Sequence, residues 1–300
     1  MIRTLLPLDA VRLDPKWFGG NSAYTLDRMG SPSQDAPSLT FIGRGIPLRG
    51  RCALVWEEEG RLIGMASARR RSGPTAWEVD ALYLAPEADA EYLLERLSAN
   101  IAQRGGQRLF LRLPWSSPIQ SSATRCGFVP LVRETLYRLD RPPHGLSSAI
   151  VHPGIRPKRP WDHQGLFHLY LQSTPAGLRD QWALTLAEWQ DSLERGAPFC
   201  TQRVAVEEDA VVAWLMVWGR TSEGHLWLLC LPGSEDRVRT LLEHSLGLLQ
   251  GRGSIFSLVP EFQGHVASGL EALDFREASQ YLTLVKGMAV KVKAPALAPA

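Results

Sequence analysis

The sequence lacks the features that mark several common classes of protein. Its four cysteines, Cys52, Cys126, Cys200 and Cys230, lie far apart and form no CxxC pair, which argues against a zinc knuckle and a disulfide framework. The longest apolar stretch, Ala210 to Trp218, is far too short to span a bilayer. The first residues also lack the apolar segment and cleavage site of a signal peptide. We therefore expect reduced thiols, a cytoplasmic location and no membrane partner.

An excess of charge of one sign is missing as well. The 33 lysines and arginines balance 31 aspartates and glutamates, for a net charge of +2, and they form no long basic stripe of the kind that nucleic-acid binding needs. The sequence contains no metal-ligand spacing and no arrangement of nucleophile, histidine and carboxylate. It therefore predicts no nucleic-acid partner and no metal, and it leaves the oligomeric state open.

What the sequence does contain is an order of elements that occurs twice in its 300 residues. Three segments of the first half reappear in the second half in the same order, at offsets of 153, 146 and 147 residues. Such recurrence at nearly constant spacing indicates a tandem duplication. The matching segments are residues 2–9 and 155–162, residues 105–114 and 251–260, and residues 127–128 and 274–275.

A linker is predicted between the two copies, where two adjacent prolines and small polar residues interrupt any regular pattern. We predict an N-terminal domain over residues 1–141, a linker over residues 142–153 and a C-terminal domain over residues 154–293. Residues 294–300 are rich in alanine and proline and have little to bury, so they are predicted to form a frayed tail.

The sequence pattern of each copy predicts the same succession of a β-hairpin, a buried strand, a helix and a further strand. Glu87 to Arg104 carries apolar residues at helical spacing, and Gly105 supplies a stop. A passage of strand, helix and strand makes a right-handed parallel crossover. Each copy is therefore predicted to be an α/β domain with a mixed, mostly antiparallel sheet flanked by helices. The predicted strands are Arg51 to Glu57, Arg61 to Ala68, Trp77 to Leu84 and Leu109 to Leu113 in the first copy, and Arg203 to Glu208, Val211 to Trp218, His225 to Leu231 and Ile255 to Val259 in the second, whose helix is predicted over Glu235 to Gln250.

A short motif closes the buried strand of each copy. Trp77 to Pro86 ends in an apolar residue, a further residue and proline, and Leu228 to Pro232 is its counterpart. Gly127-Phe128 and the weaker Asp274-Phe275 follow near the end of each copy. This order resembles the GNAT acetyltransferase superfamily over nearly the whole chain, twice. The resemblance implies two tandem GNAT-like domains, an N-acyltransferase activity, acetyl-CoA as co-substrate and a small-molecule amine as acceptor.

The resemblance also indicates where the CoA thioester would bind. In that family the central strand offers backbone groups to the pantetheine, and a glycine-rich loop at a helix N-terminus receives the pyrophosphate. The first copy has Glu87, Asp89 and Glu91 there and no glycine, so its acids would oppose the phosphates, and helix capping is their alternative role. The second copy keeps Gly233 and two arginines, which favours the C-terminal copy as the active half; ordinary capping with solvated arginines is the alternative. The residues implied in cofactor binding are Leu229, Cys230, Leu231, Gly233, Ser234, Arg237 and Arg239.

The acid and base of an acyl transfer are harder to identify. Glu78, beside Asp80 on the same strand face, is the candidate base, and exposed acids on a sheet face are the alternative. The tyrosine that serves as the acid in many family members is replaced by Ala123 and Leu270. Ser116 lies where the family has an asparagine and is the second candidate catalytic residue. The alternative is that its hydroxyl only forms hydrogen bonds with solvent.

Two functions therefore stay open from the sequence. The first is a GNAT-like N-acyltransferase whose C-terminal copy is active. The second is a non-catalytic GNAT-fold binding or scaffolding protein, which the missing glycines, the acidic replacements and the absent tyrosine favour. Most tryptophans of the second half are predicted to lie in the core or between the copies, with an aromatic-lined acceptor pocket as the alternative.

Overall fold

The strands of the protein form one mixed sheet. The structure, a computed structural model, describes residues 1–12, 22–29, 50–86, 88–140, 142, 154–195, 197, 199–219 and 222–289. The predicted tail 294–300 and all but residue 142 of the predicted linker lie outside these residues. The strands are β1 (Ile2–Thr4), β2 (Arg51–Glu58), β3 (Arg61–Arg70), β4 (Ala76–Leu84), β5 (Arg108–Pro114), β6 (Val129–Leu139), β7 (Ile155–Pro157), β8 (Thr201–Glu207), β9 (Ala210–Gly219), β10 (Glu223–Cys230), β11 (Ser254–Pro260) and β12 (Arg276–Gly287).

The helices follow the strands in a similar order in the two halves, residues 1–140 and 154–289. Short 3-10 turns at Leu26–Arg28 and Pro160–Asp162 accompany them. No helix in the described residues is both long and apolar enough to cross a membrane. The helices are α1 (Asp9–Arg12), α2 (Ala90–Gln103), α3 (Ile119–Arg125), α4 (His163–Ser173), α5 (Ala176–Trp182), α6 (Leu186–Ser192), α7 (Glu235–Leu248) and α8 (Gly264–Glu271).

The hydrophobic pattern explains the position of the long helices. Five apolar residues of α2 recur at helical spacing and face the core, where they are packed on β2 and β3, whereas Tyr92 is exposed. The helix ends before Gly105, whose φ of +81° is the left-handed conformation that glycine adopts without strain. On β9, Ala213, Leu215 and Val217 face α7, while the alternate residues face α4. The predicted α/β architecture with a mixed, mostly antiparallel sheet is confirmed.

The sheet has a nearly palindromic strand order. It reads β1-β2-β3-β4-β5-β12-β6-β11-β10-β9-β8-β7. Only the pairs β4–β5 and β10–β11 are parallel among the described strands, and each is joined by a helix, as the crossover rule predicts. All other neighbouring strands are antiparallel.

The two halves exchange their last strands at the centre of this sheet. β12 of the C-terminal half pairs with β5 of the N-terminal half over Tyr281–Gly287, and β6 of the N-terminal half pairs with β11 over Glu134–Leu139. β6 and β12 also pair with each other. Neither half therefore completes its sheet from its own strands, and the hydrophobic cores of the two halves share these strands.

A segment of the C-terminal half also docks on the N-terminal half. At the end of the β3–β4 hairpin, the backbone N–H of Ser72 donates to Leu193 O (3.0 Å) and that of Gly73 donates to Asp191 O (3.1 Å). The carboxylate of Asp191 accepts from the backbone N–H and the hydroxyl of Thr75. A side chain at Gly73 would overlap Asp191, because its Cβ would lie 1.7 Å from Asp191 Oδ1. The contact therefore requires glycine at this position.

Candidate functional site

Two pairs of parallel strands stop pairing part-way along their length. β4 and β5 pair only from Ala76 to Glu78, although both strands continue. β10 and β11 pair only from Glu223 to Leu226 and likewise continue. The unpaired ends of each pair form a cleft whose inner backbone groups need other partners. We call these the N-terminal and the C-terminal cleft.

The N-terminal cleft is filled by the protein's own chain. The backbone N–H of Ser22 donates to Leu82 O on β4 (2.9 Å), and that of Tyr24 donates to Arg112 O on β5 (3.0 Å). Ala23 between them is fully buried in the core. The segment thus bridges the two strands where they no longer pair with each other. It leaves no room for a ligand chain between them.

The acids that follow β4 stabilise the helix after it. Asp89 occupies the N-cap position of α2, where its carboxylate accepts from Glu91 N (3.0 Å) and from the Ser122 hydroxyl (2.7 Å). Arg125 pairs with the same carboxylate at 2.9 Å. The hydrogen bonds from Glu91 N and Ser122 lower the pKa of Asp89, so the carboxylate stays charged. Glu87 lies outside the described residues.

In the C-terminal cleft a single side chain reaches from the residues after β11 to the end of β10. Gln263, at the N-cap position of α8, is fully buried, and its Oε1 accepts from Cys230 N (3.0 Å) at the end of β10. Among the described residues its Nε2 has no hydrogen-bond partner, which is unusual for a buried amide. Burial raises the pKa of Cys230 to about 12, so this thiol stays protonated. Leu229 is buried beside it and Leu231 is half-buried.

A polar depression of about 540 Å³ adjoins the end of β10 at the N-terminus of α7. Gly233 (φ +78°) forms its turn, with no atom within 4 Å of a Cβ built there. Ser234 stands at the N-cap position without a capping hydrogen bond from its side chain. Arg237 lines the depression and pairs with Glu207, whereas Arg239 bonds to Glu243 (3.1 Å). Of the two predicted arginines, Arg237 is thus the one in the depression. The acidic residues that line the depression are Glu207, Glu235 and Asp236.

An aromatic cavity of about 70 Å³ lies where the unpaired end of β10 meets the residues that follow β11. Leu229 and Pro260 line it from these two strands, and Arg112, Glu134 and Glu194 form a polar wall. The predicted alternative of an aromatic-lined pocket therefore exists. Its aromatic lining residues are Tyr170, Trp182, Trp189, Trp214, Trp227 and Phe262.

The polar wall of the aromatic cavity is an ion-pair network. Arg112 donates to Glu134 at 2.7 and 3.1 Å and to Glu194 at 2.6 and 3.2 Å. Arg71 lies 3.6 Å from Glu194, and its charge adds to that of Arg112. Burial alone would raise the pKa of Glu194, but the two arginines outweigh it and lower that pKa to about 2. The wall therefore joins β5 and β6 of one half to the segment after α6 of the other.

The network continues to the predicted base. Glu78 is buried between Arg69 (2.6 Å) and Arg71 (3.2 Å), and burial raises its pKa against their charges. Asp80 is also buried, and it accepts from Ser67 (2.5 Å) and pairs with Arg51 (3.2 Å). The predicted alternative of exposed sheet-face acids is therefore wrong.

The two predicted catalytic residues are not brought together. Glu78 pairs with Phe110 at the start of β5. Ser116 is exposed in the turn after β5, whose end at Pro114 lies about 13 Å beyond Phe110 at the usual rise per residue. Ala123 and Leu270, which stand in place of the expected tyrosine, are both fully buried. No metal-binding group of side chains occurs among the described residues.

The fold is shared with acyltransferases of known structure. Neither a protein-family model nor a curated protein matches the sequence. A GCN5-related N-acetyltransferase from Sphaerobacter thermophilus aligns over 96% of this chain and 95% of its own, with a TM-score of 0.53 and 14% identity. A tandem GNAT protein from the clavulanic acid biosynthesis pathway aligns over 96% of this chain and 98% of its own, with a TM-score of 0.53 and 13% identity. A Saccharomyces cerevisiae N-myristoyltransferase with bound myristoyl-CoA aligns over 95% of this chain and 82% of its own, with a TM-score of 0.51 and 11% identity. These likenesses show that the chain has the GNAT fold.

Proposed function

We propose that the C-terminal half binds an acyl-CoA thioester and transfers the acyl group to a small amine. One observation carries the proposal: the unpaired ends of β10 and β11 lead to the aromatic cavity on one side and to the polar depression at Gly233 on the other. The N-terminal cleft is filled by Ser22 to Tyr24, so it offers no second site of this kind. The acyltransferase names of the structural neighbours support acyl-CoA as the donor.

The residues of the C-terminal cleft fit a CoA thioester. The unpartnered Nε2 of Gln263 is a buried donor that a ligand carbonyl would satisfy, with Leu229, Cys230 and Leu231 as the adjoining strand. The open turn at Gly233, the first N–H groups of α7 and Arg237 would face the pyrophosphate. Nearby acids oppose this charge, so we expect modest affinity. When bound, the thioester supplies the activated acyl group.

In the transfer, the amine nitrogen forms a bond to the thioester carbon and the carbon–sulfur bond breaks. The thiolate that leaves takes up the proton that the amine gives off. With a pKa of about 2, Glu194 is a weak base, and Tyr170, whose hydroxyl donates to Ala183 O, has its pKa raised by burial to about 12. We therefore propose that the site acts by holding an already neutral amine against the thioester.

A second function is favoured by a specific observation. The carboxylates of the aromatic cavity, Glu134 and Glu194, are both held by Arg112. An ion-paired carboxylate removes protons poorly. A GNAT-fold protein that binds a CoA thioester or another ligand without catalysis would have this arrangement. Glu78 would then have a structural role, as its two arginine partners suggest.

We further propose that the chain is a tandem repeat with the domains given above. Two geometric matches support this. Arg3 donates two hydrogen bonds to the carboxylate of Asp9 (2.7 and 2.8 Å), and Arg156 donates two to the carboxylate of Asp162 (both 2.7 Å). Gly127 and Asp274 share a left-handed φ of +82° and +64°. A cytoplasmic location, which the free cysteines support, is part of the same proposal. So is the absence of nucleic-acid and membrane partners.

Calorimetric titration with acetyl-CoA tests the proposed function. We expect micromolar binding that weakens at least about tenfold in Arg237→Glu, because the substitution turns the cation that lines the depression into an anion. Arg96→Glu, on the exposed face of the corresponding helix α2, is the matched control and should bind normally. Arg239→Glu should have the smaller effect of the two α7 variants. An absence of heat at millimolar acetyl-CoA would refute the proposal.

Release of free CoA thiol separates the two functions. Acetyl-CoA and a panel of small amines are incubated with the protein at pH 8 to 9, where neutral amine is more abundant. Amine-dependent thiol release above that of the Arg237→Glu variant supports the transferase. Binding of acetyl-CoA without such release supports the non-catalytic alternative.

A further inference from the structure

A polar groove of about 390 Å³ lies beside the aromatic cavity and has no part in binding the thioester as proposed. It runs between α4 and α6 over β8 and β9. Its walls carry hydrogen-bonding side chains from four separate segments of the chain. These are Ser72, Lys158, His163, Gln190 and Gln202.

The groove presents positive charge. Lys158 is half-buried and has no ion-pair partner among the described residues. His163, the first residue of α4, has a buried Nδ1 without a hydrogen-bond partner in the same part of the chain. Burial and, to a smaller extent, the charge of Lys158 lower the pKa of His163 against the opposing charge of Asp162. The helix N-terminus adds a favourable potential for an anion.

The acids near the groove are already matched by cations. Asp162 precedes His163 in the chain, but Arg156 holds its carboxylate with two hydrogen bonds of 2.7 Å. Glu194 lines the groove, but Arg112 holds its carboxylate at 2.6 Å. Lys158 also acts on the charge of Asp162, but Arg156 already holds this carboxylate, so the charge of Lys158 can still act on a ligand.

The groove and the aromatic cavity share one wall. Trp189 and Trp214 line both spaces, together with Leu193, Glu194 and Met216. A molecule that reaches from the groove to this wall passes from cationic donors to aromatic rings. Its far end then lies across this wall from the aromatic cavity.

We propose that the polar groove binds the anionic end of the acyl acceptor, which is an amine that also carries a carboxylate or a phosphate. This inference rests on the proposed function for the identity of the ligand as acceptor. The binding of the anion itself does not depend on acetyl-CoA. Lys158 and His163 supply the donors, and the indole rings of Trp189 and Trp214 contact the apolar body of the ligand.

Tryptophan fluorescence titration without CoA tests the groove. The probes are phenylalanine against phenethylamine and phosphoethanolamine against ethanolamine, so each pair differs by the anionic group. We expect at least one anionic probe to bind about tenfold or more tightly than its partner, which corresponds to one charge-assisted hydrogen bond. A preference within the first pair shows that the groove binds a carboxylate, and a preference within the second pair shows that it binds a phosphate. Lys158→Met, which keeps the hydrocarbon stem, should abolish the preference, and Arg96→Met, a surface cation on α2, should retain it.

The outcomes separate this proposal from the proposed function. Equal binding within both pairs, no binding at millimolar probe, or a preference that survives Lys158→Met would overturn the groove proposal even if acetyl-CoA binds. A preference lost in Lys158→Met supports it even if acetyl-CoA fails to bind, and the transferase proposal then fails alone. Circular dichroism of both variants shows whether the fold is kept.

Discussion

Arg112 is expected to be the residue on which the ion-pair network depends most. Its guanidinium makes four hydrogen bonds to Glu134 and Glu194, which lie on different halves of the chain. The network lowers the pKa of Glu194 from its ordinary value of 4.5 to about 2, which corresponds to about 3 kcal/mol. Arg112→Met removes the cation and leaves two buried carboxylates without it. We expect the free energy of unfolding at pH 7 to fall by about 3–5 kcal/mol.

Urea unfolding followed by tryptophan fluorescence measures this loss. Adding Glu194→Gln to Arg112→Met should recover part of it, because one uncompensated charge is then gone. The pKa of Glu194 is lower in the folded state than in the unfolded state, so its contribution is complete above pH 4.5 and is lost as the pH falls towards 2. The wild type should therefore lose more stability over this interval than Glu194→Gln. A loss below about 1 kcal/mol in Arg112→Met, the value of a surface ion pair, would refute this reasoning.

Two further substitutions test contacts that hold the site. Gly73→Ala places a Cβ 1.7 Å from Asp191 Oδ1 and should lower the free energy of unfolding in urea by about 1–3 kcal/mol. Gly177→Ala in α5 has nothing within 4 Å and should be neutral or slightly stabilising; equal effects at the two glycines would contradict the docking contact. Ala23→Leu over-packs the N-terminal cleft and should cost about 1–3 kcal/mol by the same measurement. An unchanged stability would mean that Ser22 to Tyr24 does not fill the cleft.

The regular elements were predictable because their signals are local. The hairpin strands, the central strands and the two long helices lie within a few residues of their predicted bounds. The apolar period of α2 and the stop at Gly105 were sufficient for that helix. The exchange of β6 and β12 has no such signal. A strand carries the same alternation whichever neighbour it pairs with, so the sequence does not choose between β5 and β11 as a partner.

The candidate site was predictable only in part, for a related reason. The motif ending at Pro232 led to the end of β10, the turn at Gly233 and the two arginines of α7, but not to which arginine lines the depression. Gln263 was missed because it lies 33 residues from its hydrogen-bond partner Cys230 and no motif links them. The same holds for Lys158 and His163, which meet the groove through folding of α4 against β8 and β9.

The sequence by itself determined the α/β class, the succession of elements in each half and the acidic character of the first loop after the central strand. These follow from hydrophobic period, turn residues and charge, which act over short stretches of chain. Only the tertiary structure decided that the N-terminal cleft is filled by Ser22 to Tyr24, that Glu78 is ion-paired with Arg69 and Arg71, and that aromatic side chains enclose a cavity at the C-terminal cleft. Burial and charge pairing depend on which side chains are brought together by strand pairing and helix packing, and the local sequence pattern does not specify this.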